Sequence, residues 1–424
     1  MATVGGGMRK KVLLKPPLLT RSGYGEHGRF VLRALRSRED LFDIYIQPLQ
    51  WGATSWLNES SEERVWIDHT IEKTIGYIQQ GGQLDISLQV TIPNEWERLA
   101  PVNIGITAGI ESTQVAPLWV QKGNEIDKIV VVSEHAKKTY AGTVYTATNN
   151  QTQEQTELRL DTEIEVVNYP VKEYDKIEDI ELDLEYDFNF LTVAQMGPRK
   201  NISNTIKWFV EEFQNEEVGL VLKTNLAKNC HMDREKVFSD IKRQLETLPE
   251  PETRKCKIYL LHGDMNDEEM HALYLHSKIG AFVLLSHGEG FGLPTFEAAY
   301  SGMPIVTPGW SGYLDFLVNK KTGVSEFHNV EYDIQPIPES AIWENVLIKE
   351  SMWAYPREHS AKQQMRQCYA NIEKSKKVSK KLATRLKKEF KKEDMYAKMV
   401  AALIDESEFD VESWLTGLNI EEIE

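Results

Sequence analysis

Hydrophobic and polar positions follow two recurring styles along the chain. Short β-branched, apolar runs stand at "KVLLKP", "FDIYIQPL", "DISLQV", "NIGITAGI" and "KIVVVSEH" in the first half. The second half repeats them at "FNFLTVAQM", "VGLVLKTN", "KIYLLHG", "IGAFVLLSHG" and "PIVTPGW". Between the runs lie stretches with helical spacing, among them residues 24–37, 63–80, 202–215 and 266–277. Unbroken apolar strands separated by amphipathic helices predict parallel sheets covered on both faces. Two such series predict an α/β chain of two doubly wound, Rossmann-like domains with a ligand cleft between them.

The change of series falls near residues 170–187, where "YPVKEYDKIEDIELDLEYD" is dense in acid and poor in core residues. This predicts a solvated linker between an N-terminal domain (1–178) and a C-terminal domain (188–375), followed by helices and an acidic tail (376–424). Asp183, Glu185 and Asp187 are a weaker candidate for a metal site, because hard-metal ligands usually follow a buried strand and these precede one. Residues 147–158, "ATNNQTQEQTEL", predict an exposed loop or insertion. From Lys374 to Lys392 there are ten Lys or Arg residues, with Val378, Leu382, Leu386 and Phe390 every four positions. That pattern is an amphipathic helix with a basic face. A solvated helix packed on its domain is the plainer expectation, and an anionic membrane or nucleic acid is the alternative partner. The last helices are open to crossing back onto the N-terminal domain, and "VESWLTGL" in the tail to docking as a short helix.

Composition narrows the class. At 424 residues, 41% hydrophobic and 27% charged, the chain is neither disordered, collagen-like nor a small disulfide scaffold. Its formal net charge of −16 makes it a poor default binder of nucleic acid. Cys230, Cys256 and Cys368 are far apart and lack CxxC spacing, which argues against disulfides and zinc. The N-terminal apolar run is broken by Lys15, Pro16 and Pro17, so neither a signal peptide nor a membrane span is expected. A soluble, cytoplasmic protein follows, with peripheral membrane contact left open.

The candidate chemistry lies in residues 284–317, "LLSHGEGFGLPTFEAAYSGMPIVTPGWSGYLDFL". A strand runs into a turn bearing Gly288, Gly290 and Gly292, and a helix starts around Pro294. Such a turn frees backbone N–H groups for an anion, with the helix dipole behind them. Glu289 and Glu297 stand eight positions apart, so one carboxylate can face a reacting sugar while the other reaches a second ligand moiety. A glycosidase acid and nucleophile is the weaker alternative, because the glycine-rich helix start favours an anionic leaving group. His262, His271 and His276 are spaced off a common helix face, which argues against a metal there.

The stretch "EGFGLPTFE" followed by "SGMPIV" resembles the signature of retaining nucleotide-sugar glycosyltransferases of the GT-B fold, family 4. Residues 193–209, "VAQMGPRKNISNTIKWF", look like that family's first strand and helix in the C-terminal domain, and residues 105–140 resemble the end of its N-terminal domain. The resemblance implies that the N-terminal domain takes the acceptor and the C-terminal domain the nucleotide sugar. It implies Glu297 on the ribose hydroxyls, Glu289 on the donor sugar, and amides of Phe291, Gly292 and Leu293 near the sugar and diphosphate. Lys200 matches the basic residue that neutralises the diphosphate. Gly23 and Gly25, in "SGYGEHGRF", stand where the N-terminal domain approaches the phosphates.

The chain departs from that pattern at three points. Where the family has an Arg five positions before the Lys, it has Gln195, with Arg199 or Lys223 as candidate replacements. Where many members place an acceptor-side His, it reads "TAGIESTQ", leaving Glu111 or Ser112. His287 is read as a loop residue rather than a catalyst. What the resemblance implies is a hexosyltransferase that needs no cofactor and no metal. It would move sugar from a nucleotide-diphosphate sugar to an acceptor hydroxyl with retention, by front-face attack. The acceptor is unknown. The alternatives are a phage-type enzyme acting on a hydroxymethylated DNA base, served by the basic helix, and a non-catalytic GT-B binding module.

Overall fold

The computed structural model describes residues 9–404, apart from 53, 59, 149–150 and 249–251. Two six-stranded sheets dominate it. The first contains β1 (Lys10–Lys15), β2 (Phe42–Ile46), β3 (Ile86–Val90), β4 (Val102–Thr107), β5 (Lys128–Val131) and, after a hairpin of β6 (Val144–Thr148) and β7 (Gln155–Arg159), β8 (Ile164–Val166). These strands lie in the order β2-β1-β3-β4-β5-β8, all parallel. Helices α1 (Gly23–Arg36), α2 (Glu62–Gln79), α3 (Pro117–Asn124) and α4 (Glu134–Gly142) connect them.

The second sheet contains β9 (Asn189–Val193), β10 (Gly219–Lys223), β11 (Lys257–Leu261), β12 (Ile279–Val283), β13 (Ile305–Pro308) and β14 (His328–Val330). Its order is β11-β10-β9-β12-β13-β14, again all parallel. The helices between are α5 (Ile202–Phe213), α6 (His231–Glu246), α7 (Asp267–Leu275), α8 (Leu293–Tyr300) and α9 (Leu314–Leu317). An antiparallel hairpin of β15 (Tyr332–Pro336) and β16 (Met352–Pro356) follows, then α10 (Glu358–Ala370), α11 (Ile372–Glu389) and α12 (Lys392–Leu403).

Every apolar run named above carries a strand. β3 and β12 are buried along their whole length, because a parallel strand between helical layers has no solvent face. In the second sheet the strand order reverses between β9 and β12. In such sheets the crevice beyond the carboxyl ends of those strands is where ligands bind. The first sheet reverses at β1 and β3, so each sheet offers one such crevice.

The structure corrects three expectations. Residues 147–158 are not a plain loop: they belong largely to the exposed β6–β7 hairpin, whose Thr and Val content supports strands despite its polarity. The linker is not simply solvated, since Tyr169, Val171 and Leu184 are buried. Val378 does not join the apolar stripe of α11. It is 38% exposed, while Ser375 and Ser379 take the buried positions beside Leu382 and Leu386. A four-residue spacing advances about 40° per step on a 3.6-residue helix, so the stripe drifts off the core face.

The chain then returns to the first domain. α12 packs on α1, with the rings of Phe30 and Tyr396 stacked at 6.0 Å, and the Val171 amide donates to the Phe390 carbonyl at 2.8 Å. Among the described residues no helix is long and apolar enough to cross a membrane. The tail segment "VESWLTGL" lies outside the described residues.

Candidate functional site

The two sheets face one another across a cleft of about 1210 Å3. The loops after β9 and β12 form one wall. The start of α1 and the loop after β4 form the other. The walls touch at the glycine turn. A Cβ on Gly290 would stand 1.8 Å from the Ala108 carbonyl oxygen, so only glycine allows this approach. Ser133 Oγ seals it by donating to the Gly290 carbonyl at 2.6 Å. Gly292 caps α8 with φ +89°, a left-handed conformation that glycine adopts without strain.

No acceptor among the described residues meets the backbone N–H of Gly290, Phe291, Gly292 or Leu293. These donors sit at the N-terminal end of an eight-residue helix that starts on the cleft wall. The Phe291 ring is not a ligand surface; it is buried against Tyr169, Phe296 and Phe316. Only its backbone is available to a ligand.

Beside these amides, four of the sequence-derived candidates form one cluster. Arg199 lies 3.0 Å from Glu289 and 3.2 Å from Glu111, and donates to the Gly288 carbonyl at 2.6 Å. Lys200 donates to the other Glu289 oxygen at 2.6 Å. Burial pushes the Glu289 carboxyl up, but the two cations overcome this and hold it at about 2. Burial and the neighbouring Arg199 lower the Lys200 ammonium. Arg199 is pushed up in spite of its burial, by Glu111 and Glu289.

A second cluster surrounds Glu297. Tyr274 donates to Glu297 at 3.1 Å, and Lys172 lies 3.9 Å from its other oxygen. Lys172 also pairs with Glu26 at 3.0 Å and Asp267 at 2.9 Å. Burial raises the Glu297 carboxyl to about 7; Lys172 and Tyr274 oppose the rise, while Asp267 and Glu26 add to it.

The remaining candidates divide. Gly23 lines the cleft, but Gly25 does not: it packs against Pro17 and Thr20, and its amide donates to the Ser22 side chain that caps α1. Lys223 lines the cleft, with its ammonium bound to the Gly263 carbonyl and lowered by burial. Gln195 is exposed and donates to the Leu226 carbonyl at 2.6 Å. Glu111 and Ser112 both line the cleft; Glu111 pairs with Arg199, whereas the Ser112 hydroxyl donates to the Gln114 carbonyl. His287 is buried, stacked on Trp353 and bonded to the Ala354 carbonyl. Its proton affinity is lowered by that burial. His262 pairs with Asp233 and His271 stacks on Tyr174. Among the described residues no three His, Cys, Asp or Glu converge as a metal site requires.

Sequence reasoning missed Lys172, Glu26 and Asp267. Glu26 lies inside the quoted "SGYGEHGRF" motif, and the one signal for Lys172 is a cation beside the apolar Tyr169 and Val171 in an otherwise acidic segment.

Comparison with known proteins matches residues 175–333 to the family described as glycosyl transferases group 1. Sequence comparison with curated proteins finds no significant match. Among solved structures, sucrose-phosphate synthase from Thermosynechococcus elongatus is similar, with a TM-score of 0.58 and 12% identity over 93% of this chain and 98% of that one. A glycosyltransferase from Rickettsia africae gives a TM-score of 0.55 and 13% identity over 97% and 100%. Anabaena HepE, solved with UDP and glucose, gives 0.54 and 10% over 93% and 99%.

The chain has the GT-B fold. In this GT-B chain the family match spans the second sheet through β14, with the glycine turn, Lys200, Glu289 and Glu297, and leaves the first sheet outside. The first domain is therefore placed by structure alone.

Proposed function

We propose that this protein is a nucleotide-sugar-dependent glycosyltransferase of family 4 that retains anomeric configuration and transfers a hexosyl group to an acceptor hydroxyl. The observation that carries the reading is the convergence of Arg199, Lys200 and the unpaired amides of residues 290–293 at the topological switch point of the second sheet. The two cations and the free amides suit a leaving diphosphate. The similar Anabaena structure with UDP and glucose makes a uridine diphosphate sugar the first donor to try.

In the reaction the bond between the anomeric carbon and the diphosphate oxygen breaks. The acceptor oxygen bonds to the same face, and its proton passes to the departing phosphate. Lys200, Arg199 and the helix N-terminus stabilise the negative charge that develops on the diphosphate. Glu289, ionised at neutral pH, accepts hydrogen bonds from donor-sugar hydroxyls and stays too weak a base to take the acceptor proton. Glu297 faces the ribose. Glu111, on the wall of the first domain, faces the acceptor side and keeps Arg199 in place. The positive charge comes from the chain itself, so the reading needs no resident metal.

The test is a melting scan of the protein with UDP-, GDP- and ADP-sugars, followed by release of nucleoside diphosphate with and without saccharide acceptors. Stabilisation by one nucleotide sugar and its slow hydrolysis are expected. A panel that neither stabilises the protein nor is hydrolysed would remove the reading.

A further inference from the structure

Lys172 stands where three elements meet. It belongs to the segment joining the two sheets, and its side chain is 19% exposed. Its ammonium lies 3.0 Å from Glu26 on α1, 2.9 Å from Asp267 at the first residue of α7, and 3.9 Å from Glu297 on α8. It lines the main cleft and also a smaller cavity of about 280 Å3 behind it.

We propose that Lys172 is a positioning residue of the donor site, tying α1 of the first domain to α7 and α8 of the second and favouring the carboxylate form of Glu297 where a ribose diol docks. The proposal rests on the glycosyltransferase reading above.

The argument is a comparison of charges. Among the described residues, Lys172 is the one cation within 4 Å of the Glu297 carboxylate. The other groups around Glu297 do not substitute for it. Tyr274 donates a neutral hydrogen bond, and the half-buried Tyr174 and buried Tyr300 are phenols whose ionisation burial opposes. His271, on α7, stacks on Tyr174, and its proton affinity is lowered mainly by burial. Glu26, Asp267 and Glu268 are like charges, and Arg33, Lys392 and Tyr396 border the smaller cavity farther off.

Without Lys172, three carboxylates would face one another in a largely buried site, and one would take up a proton. Glu26 keeps Arg29 at 2.9 Å and Arg33 at 3.7 Å. Asp267 is 53% exposed, so water stabilises its charge. The proton therefore goes to Glu297. A vicinal diol offers two hydroxyl donors, and a carboxylate can accept both. A carboxylic acid has lost one of those acceptor sites. Protonation at Glu297 should weaken a ribonucleotide more than its 2′-deoxy analogue.

Two measurements test this. In the first, the Glu297 carboxyl is titrated by 13C NMR in the free protein, assigned by its disappearance in Glu297→Gln. The midpoint should rise in Lys172→Met by about one pH unit or more, a tenfold change in proton affinity, and return toward wild type in Lys172→Arg. In the second, uridine diphosphate and 2′-deoxyuridine diphosphate are titrated calorimetrically at pH 7 and 9. Lys172→Met should bind uridine diphosphate about fivefold more weakly at pH 7, as the charged fraction of Glu297 falls, and lose preference over the deoxy analogue. Both losses should recover at pH 9.

A loss that pH does not restore would mean a merely structural role and would overturn the proposal. So would an unmoved Glu297 midpoint with normal nucleotide binding. If wild-type protein binds none of the uridine, guanosine and adenosine diphosphates, the glycosyltransferase reading falls and takes the ribose role with it, even where the Glu297 midpoint moves.

Discussion

Glu289 and Glu297 are the same side chain, eight residues apart, on the wall of one cleft. Burial pushes both carboxyls upward, yet Glu289 rests at about 2 and Glu297 at about 7. The difference lies in the ratio of cations to acids around each. Glu289 has Arg199 at 3.0 Å and Lys200 at 2.6 Å, with Glu111 on the far side of Arg199. Glu297 has one cation at 3.9 Å, and that cation is shared with Glu26 and Asp267 at shorter range. The first carboxylate is locked as an anion, which suits its proposed role of holding sugar hydroxyls. The second sits near its ionisation point, so its charge answers to pH and to Lys172. One cleft thus carries an inert and a responsive acid.

The sharpest way to break the comparison is at Lys200. Lys200→Ala should lower single-turnover rates by about 10²–10³-fold, the usual cost of losing a preorganised charge at a leaving group. Gln195→Arg should be tolerated and should restore part of the loss, because position 195 lines the same cleft. Near-normal rates in Lys200→Ala would move the phosphate role to Arg199 or Lys223.

Next comes Glu297→Ala. Calorimetry should find donor nucleotide bound more weakly by about 1.5–3 kcal/mol, the range for a hydrogen bond to a charged group. The melting temperature should change little, since this carboxyl is costly to bury. Unchanged affinity in a folded variant would take Glu297 out of the site.

Gly290→Ala tests the contact that brings the clusters together. A Cβ there meets the Ala108 carbonyl, and overpacking of this kind costs about 1–3 kcal/mol. Thermal unfolding should show that loss, with donor affinity falling as the two walls separate. A variant as stable as wild type would mean that the walls are not tied at this point.

The two acids should also differ in their pH linkage. Glu297 is raised from 4.5 to about 7, so the folded state holds its proton more tightly. The stability it lends is present below about pH 4.5 and is lost as pH rises through 7. Glu289 is depressed, so its contribution is present above pH 4.5 and is lost as pH falls through about 2. Melting curves of wild type and Glu297→Gln between pH 5 and 8 should therefore diverge, with wild type losing ground as pH rises. Over the same range donor affinity of wild type should increase, because the carboxylate form binds the diol. Parallel curves would place the Glu297 ionisation elsewhere. The smallest effect is expected from chelation of divalent metals: turnover should be unchanged, and activity that vanishes and returns with magnesium or manganese would contradict it.

Much of this was legible along the chain. Ten of the twelve strands in the two large sheets follow from apolar runs, and the glycine turn with Glu289 and Glu297 is written in nine consecutive residues, 289–297. Such features repeat with the backbone's own period, which local residues set. Segments whose composition masks their period were harder to read. The Thr-rich β6–β7 hairpin looks polar, and Val378 looks apolar but has rotated off the core face of α11.

By itself, then, the sequence determined two parallel sheets and the identity of the acids and cations on the turn. It could not determine what those groups face. Glu111 reaches Arg199 across 88 positions, and Lys172 reaches Glu26 across 146 and Glu297 across 125. Gly25 matched a pattern but turned inward to Thr20, while Lys172 matched nothing and turned into the cleft. A charge's behaviour depends on burial and on every other charge within a few ångströms, and such neighbours are brought together only when both domains and the returning helix α12 have packed.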